Sequence, residues 1–250
     1  MAHCIFDVGL ACAVLGRRLT GQATRLVLRT VRLMNDEAII VFARVPRLGE
    51  VKSRLAARAG QQQALDIYRQ MLRRVLGQVA AVEYGLRELC IFGDDAEGEC
   101  AALAQEFSLS LAVQVGDDLG ERMYRRLLHH TRQGRRSVLI GSDCPWLQST
   151  HLRQALELLK NHDQVFAPAL DGGYVLVGSR SARPEVFQGI DWGSSRVMSQ
   201  TQDQLRRIGA SVGLLAHFRD VDDWDDWLAW LSDNKKAESP GSGAKLRCGD

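Results

Sequence analysis

Residues 38–43, Ala-Ile-Ile-Val-Phe-Ala, form a continuous apolar run rich in β-branched side chains. Such a run suits a strand that is buried on both faces of a sheet, as in parallel α/β sheets. Further apolar runs alternate with helical patterns in the order 64–79, 89–92, 96–106, 111–115, 120–132 and 138–140. The alternation predicts an α/β fold with a mostly parallel sheet.

The second half of the chain is less regular. Its candidate strands lie at 165–167, 174–177 and 212–215, with helical patterns near 150–160 and 194–208. The first two of these strands are joined by the tight link Asp171-Gly172-Gly173, which is typical of a hairpin. We therefore expect an antiparallel insertion in the sheet.

The bulk composition excludes several classes of protein. Apolar residues make up 46% and charged residues 25%, which is ordinary for a globular domain and unlike a disordered chain. The net charge of +2 argues against a nucleic-acid-binding protein. No apolar run is long enough to span a membrane, and the cysteines show no zinc spacing. We expect a soluble, reduced, cytoplasmic protein.

The two ends of the chain differ from its centre. Residues 1–35 are basic, but their arginines follow the apolar stretch, whereas a secretory signal places its positive charge first. We interpret them as a dispensable extension or a mis-assigned start before Met34. From residue 232 onward the chain is rich in Lys, Ser, Gly and Pro, which predicts a disordered tail over 232–250. The expected domain is 36–231.

The loop after the first strand carries the densest chemical signal. Gly49 permits close backbone approach, and the loop's four cations can donate charge-assisted hydrogen bonds; they are Arg44, Arg47, Lys52 and Arg54. The loop follows the carboxyl end of a strand, where α/β proteins bind ligands. We expect exposed cations that bind a nucleotide polyphosphate. A solvated basic turn is the alternative.

Three further segments supply carboxylates. Asp143 stands where the strand at 138–140 ends, a position suited to Mg²⁺ or Mn²⁺, although a helix cap would also explain it. Asp171 sits beside Gly172 and Gly173, whose backbone N–H groups could cradle a ligand or form a tight turn. Residues 219–227 contain five carboxylates, which a metal could neutralise, although Asp223 could equally cap a final helix.

These segments together resemble a bacterial family, the DUF2064 transferases. The resemblance is carried by A-R-V-P-R-L-G-E-V-K-S-R-L at 43–55, G-D-D-L-G-E-R-M at 116–123, L-I-G-S-D-C-P at 139–145, A-L-D-G-G-Y at 169–174 and D-V-D-D-W-D-D-W at 220–227. The family is described as glycosyltransferases associated with radical-SAM and selenium-domain proteins or with arsenosugar biosynthesis. It is distantly similar to phospholactate and molybdenum-cofactor guanylyltransferases.

The resemblance implies a GT-A, or nucleotide-diphospho-sugar transferase, fold with three Rossmann-like layers. It places Asp143 at the metal-binding position, and Asp220 and Asp222 would complete the site. Ser-Asp-Cys stands at 142–144 instead of the glycosyltransferase D-x-D pattern, and Lys-Ser-Arg at 52–54 instead of the family's Lys-Thr-Arg. The fold alone does not decide the reaction.

Three functions follow as hypotheses. The first is metal-dependent glycosyl transfer from a nucleotide sugar to a small acceptor, with Asp143 as the central carboxylate and Asp171 as a base or acceptor-orienting group. The second is nucleotidyl transfer from an NTP to a phosphorylated acceptor with release of pyrophosphate. The third is a nucleotide-binding module without catalysis, which has less need of so many carboxylates.

Overall fold

A computed structural model describes residues 36–238 and shows one seven-stranded sheet between two layers of helices. The strands are β1 Glu37–Arg44, β2 Leu86–Phe92, β3 Ser110–Val113, β4 Arg136–Gly141, β5 Gln164–Pro168, β6 Tyr174–Ser179 and β7 Val212–Leu214. The helices are α1 Ser53–Ala59, α2 Gln61–Ala80, α3 Glu99–Glu106, α4 Leu119–Thr131, α5 Ser149–Leu158, α6 Val197–Arg207 and α7 Trp224–Glu238. A short 3-10 turn lies at Pro184–Val186.

The strand order is β3-β2-β1-β4-β6-β5-β7. β6 runs antiparallel to both of its neighbours, β4 and β5, and the other strand pairs are parallel. The link Asp171-Gly172-Gly173 joins β5 to β6, as the hairpin pattern predicts. The prediction of a mostly parallel sheet with an antiparallel insertion is therefore confirmed.

The apolar run of β1 is buried on both faces of the sheet. Ile39 and Val41 belong to one hydrophobic core, which also contains side chains from α2, α3, α5 and α7. Ile40 and Phe42 belong to the other, which is closed by α4 and α6. Because successive side chains of a strand point to opposite faces, one unbroken apolar run serves both cores.

The last helix extends past the predicted end of the domain. We expected a disordered tail from residue 232, but α7 continues to Glu238. The ring of Trp230 stacks on that of Trp227 at 4.9 Å, and the indole N–H of Trp146 donates to Asp233 at 3.3 Å. The hydrogen bond to Asp233 and the packing of Trp227 and Trp230 against the core that contains Ile39 hold α7 against the domain. The polar composition of this segment does not show these contacts. The extension 1–35 and the rest of the tail, 239–250, lie outside the described residues.

Between residues 36 and 238 no helix combines the length and the hydropathy needed to span a lipid bilayer.

Candidate active site

The site lies at the edge of the sheet where β1 and β4 end. These strands are adjacent and parallel, with Phe42 paired to Gly141, so the loops that follow them start side by side. The loop after β1 carries Lys52, and the loop after β4 carries Asp143. A third segment joins them, because the backbone N–H of Val221 donates to the carbonyl oxygen of Asp143 at 2.9 Å. The basic loop, Asp143 and the acidic run at 219–227 therefore meet, as the family resemblance implied.

Lys52 is the centre of this meeting. Its Nζ lies 3.0 Å from Oδ2 of Asp143 and 3.7 Å from Oδ1 of Asp222, and it donates to the carbonyl oxygen of Val221 at 2.6 Å. Only 6% of the Lys52 side chain is exposed. The expectation of an exposed loop cation is wrong for Lys52, because the acidic segment covers it. Its backbone adopts a left-handed conformation, with φ 51°, directly before α1.

Arg54 contacts the same acidic segment from the solvent side. Its Nη1 lies 3.0 Å from Oδ2 of Asp222, and 76% of its side chain is exposed. Arg54 thus matches the expectation of an exposed cation. Asp222 stands between a buried ammonium and an exposed guanidinium.

The other two cations of the basic loop lie towards β2. Arg47 donates to the carbonyl oxygen of Asp94 at 2.5 Å, and the Arg44 guanidinium lies over the Phe92 ring at 5.6 Å. Gly49 has φ 78°, in the left-handed region that favours glycine. Its position permits the turn that carries the chain from Arg47 to Lys52. The four cations therefore divide into two pairs.

Asp220 is a partly buried acid of the site with a raised pKa. Burial, and then the charges of Asp171 and Asp222, raise the pKa of Asp220 to about 6. The neighbouring Lys52 lowers this pKa, but its effect is the smaller one. Asp171 therefore lies within electrostatic reach of Asp220, which brings the loop between β5 and β6 to the same site. The site holds an excess of negative charge that a cation would relieve.

A divalent metal fits this site in charge and in donor type, because carboxylate oxygens are the ligands that Mg²⁺ and Mn²⁺ prefer. Asp143 and Asp222 both lie close to the same cation, the Lys52 ammonium. Across residues 36–238, however, no three acidic, histidine or cysteine side chains are grouped as a metal site. The three predicted ligands thus share one site without converging on one point.

The two glycines beside Asp171 build the turn itself. The N–H of Gly173 donates to Oδ1 of Asp171 at 2.9 Å, and that of Gly172 donates to the carbonyl oxygen of Ala169 at 3.3 Å. Both N–H groups are bonded within the loop, which favours the tight-turn alternative. At Gly172, with φ 93°, an added Cβ would lie 2.1 Å from the carbonyl oxygen of Ser195. Glycine is needed here for close packing.

Two site residues escaped the sequence analysis. The Tyr68 hydroxyl accepts from the N–H of Arg44 at 2.9 Å, donates to the Arg44 carbonyl at 3.0 Å, and lies 3.3 Å from Oγ of Ser142. Ser142 in turn lies 3.3 Å from Oδ1 of Asp143. Burial, and then the charge of Asp143, raise the pKa of Tyr68, so the phenol stays protonated. On sequence Tyr68 only continues the apolar face of a helix.

The helix layers and the strand order are those of the α/β fold of nucleotide-diphospho-sugar transferases of the GT-A type. Residues 75–194 match the profile of the family described as "Uncharacterized protein conserved in bacteria (DUF2064)". A candidate nucleotide-diphospho-sugar transferase from Desulfovibrio desulfuricans is similar over 83% of this chain and 92% of its own, with 31% identity and a TM-score of 0.74. The chain belongs to the DUF2064 family, which confirms the resemblance.

More distant structures share the fold alone. A cytidylyltransferase from Leptospira borgpetersenii covers 82% of this chain and 96% of its own, with 12% identity and a TM-score of 0.53. A 4-diphosphocytidyl-2C-methyl-D-erythritol synthase from Anaerococcus prevotii covers 80% and 99%, with 11% identity and a TM-score of 0.54. No curated protein matches the sequence.

Proposed function

We propose that this chain is a metal-dependent transferase that acts on a nucleotide-activated substrate, and that it moves a glycosyl group from a nucleotide sugar to a small acceptor. The observation that carries the proposal is the contact of Lys52 and Arg54 with Asp143 and Asp222 at the carboxyl ends of β1 and β4. Cations and carboxylates at this edge are the groups that a diphosphate and its metal require. The similarity to the candidate nucleotide-diphospho-sugar transferase supports the same class.

Each side chain then has a defined task. Lys52 and Arg54 bind the diphosphate, and Arg44, Arg47 and Gly49 extend the nucleotide site along the basic loop. Asp143, Asp220 and Asp222 would hold Mg²⁺ or Mn²⁺, which supplies charge that stabilises the departing diphosphate. Gly172 and Gly173 contribute by shaping the turn that borders the site. Asp171 orients the acceptor or takes its proton.

Lys52 can serve a substrate without leaving its place. An ammonium has three N–H donors, and one of them is held by the carbonyl oxygen of Val221. The carboxylates of Asp143 and Asp222 are 43% and 44% exposed, so solvent and ligands can reach the partners of the other two donors. A phosphate oxygen can therefore replace a carboxylate at Nζ while the Val221 bond keeps the side chain positioned.

Nucleotidyl transfer is the second candidate, because Asp143 has no acidic partner in the same segment. The neighbour Ser142 bonds to Tyr68 and Asp143, and the thiol of Cys144 is buried and donates to the carbonyl oxygen of Arg219 at 3.2 Å. Neither residue can stand in for the second acid of a D-x-D pattern. The same cations would then bind the triphosphate of an NTP.

The products of turnover separate the two reactions. The purified protein is incubated with labelled NTPs and, separately, with labelled nucleotide sugars, with Mg²⁺ or Mn²⁺ and candidate acceptors. Release of a nucleoside diphosphate from a nucleotide sugar supports glycosyl transfer. Pyrophosphate release from an NTP supports nucleotidyl transfer instead. Metal-independent nucleotide binding without any turnover would favour a binding module.

Asp143→Asn tests the site itself. We expect the variant to keep its melting temperature, because Asp143 is half exposed and Lys52 retains Asp222 and the Val221 carbonyl. We expect metal-dependent nucleotide binding to be lost, because an amide is a poor ligand for a hard cation. Asp203→Asn, on the exposed side of α6, is the matched control. Normal metal-dependent binding by Asp143→Asn would contradict the assignment.

A further inference from the structure

The outer edge of β3 has no strand beside it among the described residues, since β3 ends the sheet and pairs only with β2. The N–H of Gln114 donates to the carbonyl oxygen of Ile91 at 2.8 Å, so Gln114 faces β2. Because the direction of the backbone groups alternates along a strand, Val113 presents its N–H and C=O to the outer side. This edge is exposed to solvent, because Val113 and Val115 are both 59% exposed.

A cleft of about 540 Å³ runs between this edge and helix α4. Val113 and Val115 line it on the strand side. The helix side is cationic, because Arg122, Arg125 and Arg126 on one face of α4 and Arg132 directly after it line the cleft. Among residues 36–238, no acidic residue lines the cleft. Within the described part of the chain, Arg132 has no ion-pair partner, whereas Arg125 and Arg126 pair with Glu121 and Glu88.

The pairing of β3 with β2 shows which face of the sheet each β3 residue is on, and so what each face of an added strand would contact. Leu111 and Val113 pair with Leu89 and Ile91, which belong to the core under α2 and α3. Ala112 pairs with Cys90, which belongs to the core under α4. Leu111 is 42% exposed, so the first side is apolar and open to solvent. An added strand would thus place alternate side chains beside Leu111 and Val113, and the others over the arginines of α4.

We propose that the outer edge of β3 binds an extended acidic segment of a partner protein as an additional strand, in which apolar and acidic residues alternate. Main-chain hydrogen bonds to Val113 would supply affinity, and the apolar and cationic sides would select the sequence. Natural proteins usually protect an exposed apolar edge strand, so an edge left open beside a cationic cleft indicates an occupant.

Charge argues against two other occupants. A second copy that paired edge to edge would bring its own α4 to the same face of the sheet, and two arginine-rich faces would repel each other. Residues 1–35 of the same chain carry arginines at 17, 18, 25, 29 and 32 against one acid, Asp7. An acidic partner complements the cleft, and these two do not.

Fluorescence anisotropy with the full chain tests the proposal. The probe is a labelled octapeptide of alternating Glu and Val. A Lys-Val octapeptide is the charge control, and a Glu-Val octapeptide N-methylated at every residue, which has no main-chain donor on either edge, is the backbone control. We expect only the unmodified Glu-Val peptide to bind, because it alone offers both the charge and the main-chain donors.

Two variants locate the site. Arg125→Gln combined with Arg132→Gln should weaken binding about tenfold, because two favourable charge contacts are lost. Arg206→Gln combined with Arg207→Gln removes two arginines from α6 and should change nothing. Val113→Pro removes the outward N–H without removing a bond to β2, and should also weaken binding, whereas Val113→Ile keeps both the N–H and an apolar β-branched side chain and should bind normally.

Three results would overturn the proposal. One is the absence of Glu-Val binding at ~1 mM peptide, the weakest affinity of interest. The second is equal binding of the N-methylated peptide, which would show an anion site without strand addition. The third is a concentration-dependent dimer that Val113→Pro abolishes, which would show that a second copy takes the edge.

Discussion

Lys52→Met and Arg54→Met form a matched pair of variants. Each removes a cationic partner of Asp222, but Lys52 is buried and Arg54 is exposed. The Lys52 side chain is 6% exposed, and that of Arg54 is 76% exposed. Methionine keeps much of the aliphatic stem in each case, so the comparison isolates the loss of the charged group. We expect Lys52→Met to lower the free energy of unfolding clearly and Arg54→Met hardly at all.

The magnitude follows from the contacts of each cation. Lys52→Met deprives the Val221 carbonyl of a charged donor, and a hydrogen bond to a charged group contributes about 1.5–3 kcal/mol. Its ion pairs add less than ~1 kcal/mol, because Asp143 and Asp222 are 43% and 44% exposed and therefore screened. We expect a loss of about 2 kcal/mol for Lys52→Met, and at most ~0.5 kcal/mol for Arg54→Met.

Urea unfolding at neutral pH measures both losses. For a domain of this size, the expected loss corresponds to a melting temperature about 4–8 °C lower for Lys52→Met. Both variants should also bind nucleotide more weakly under the proposed function, and Arg54→Met shows this without a change in stability. Equal losses of stability in the two variants, or a larger loss for Arg54→Met, would refute the description of Lys52 as the buried cation of the site.

Two further predictions concern the hairpin region. The N–H and hydroxyl of Ser211, and then Arg180, lower the pKa of Asp163 from 3.8 to about 2. The stabilisation by Asp163 is therefore complete above about pH 4 and lost as the pH falls towards 2, so Asp163→Asn should melt lower than wild type at pH 7 but not near pH 2. Gly172→Ala should lower the free energy of unfolding by more than about 2 kcal/mol, because the added Cβ meets Ser195. Gly134→Ala is the control, because Gly134 also has a positive φ, 79°, but open space around it, and it should lose about 1 kcal/mol. A small pH-independent loss for Asp163→Asn, or equal losses for the two glycine variants, would contradict these arguments.

The layout of the sheet was predictable because its signals are local. The apolar run of β1 has no polar face, which only a strand covered on both sides can accept, and the cores on both sides confirm this. The hairpin between β5 and β6 followed from Asp171-Gly172-Gly173. The end of α7 was predicted wrongly, because the contact of Trp146 with Asp233 joins positions 87 residues apart. A local pattern of polar residues does not show such a contact.

The burial of Lys52 could not be predicted from the sequence, again because it depends on a contact between distant positions. A charged residue in a loop is normally exposed, and the sequence offered no ground for an exception. The exception arises because Lys52 bonds to Val221, which is 169 residues away in the chain. Tyr68 was hidden differently, since one hydroxyl on an apolar helical face looks like core packing until the fold brings Arg44 and Ser142 to it.

The composition of the acidic run at 219–227 predicted its two possible roles but not which carboxylate has which role. Its five carboxylates suggested either a metal or a helix cap, and the structure divides them between local and site contacts. Asp223 accepts from the N–H groups of Asp225 and Asp226, and Asp226 accepts from those of Asp222 and Asp223, so this pair begins α7. Asp225 pairs with Arg58 at the surface.

Asp220 and Asp222 are the acids that remain for Lys52. They differ in their surroundings, because Asp222 is shared with Arg54, while burial and the charges of Asp171 and Asp222 raise the pKa of Asp220 to about 6. A carboxylate that caps a helix is already stabilised by backbone N–H donors. At Asp220, partial burial and the two neighbouring acids outweigh its backbone hydrogen bond and the charge of Lys52, so a bound cation gains most there. The acids that begin α7 are thus stabilised by backbone N–H groups, and the most strongly perturbed carboxylate lies beside the proposed diphosphate site.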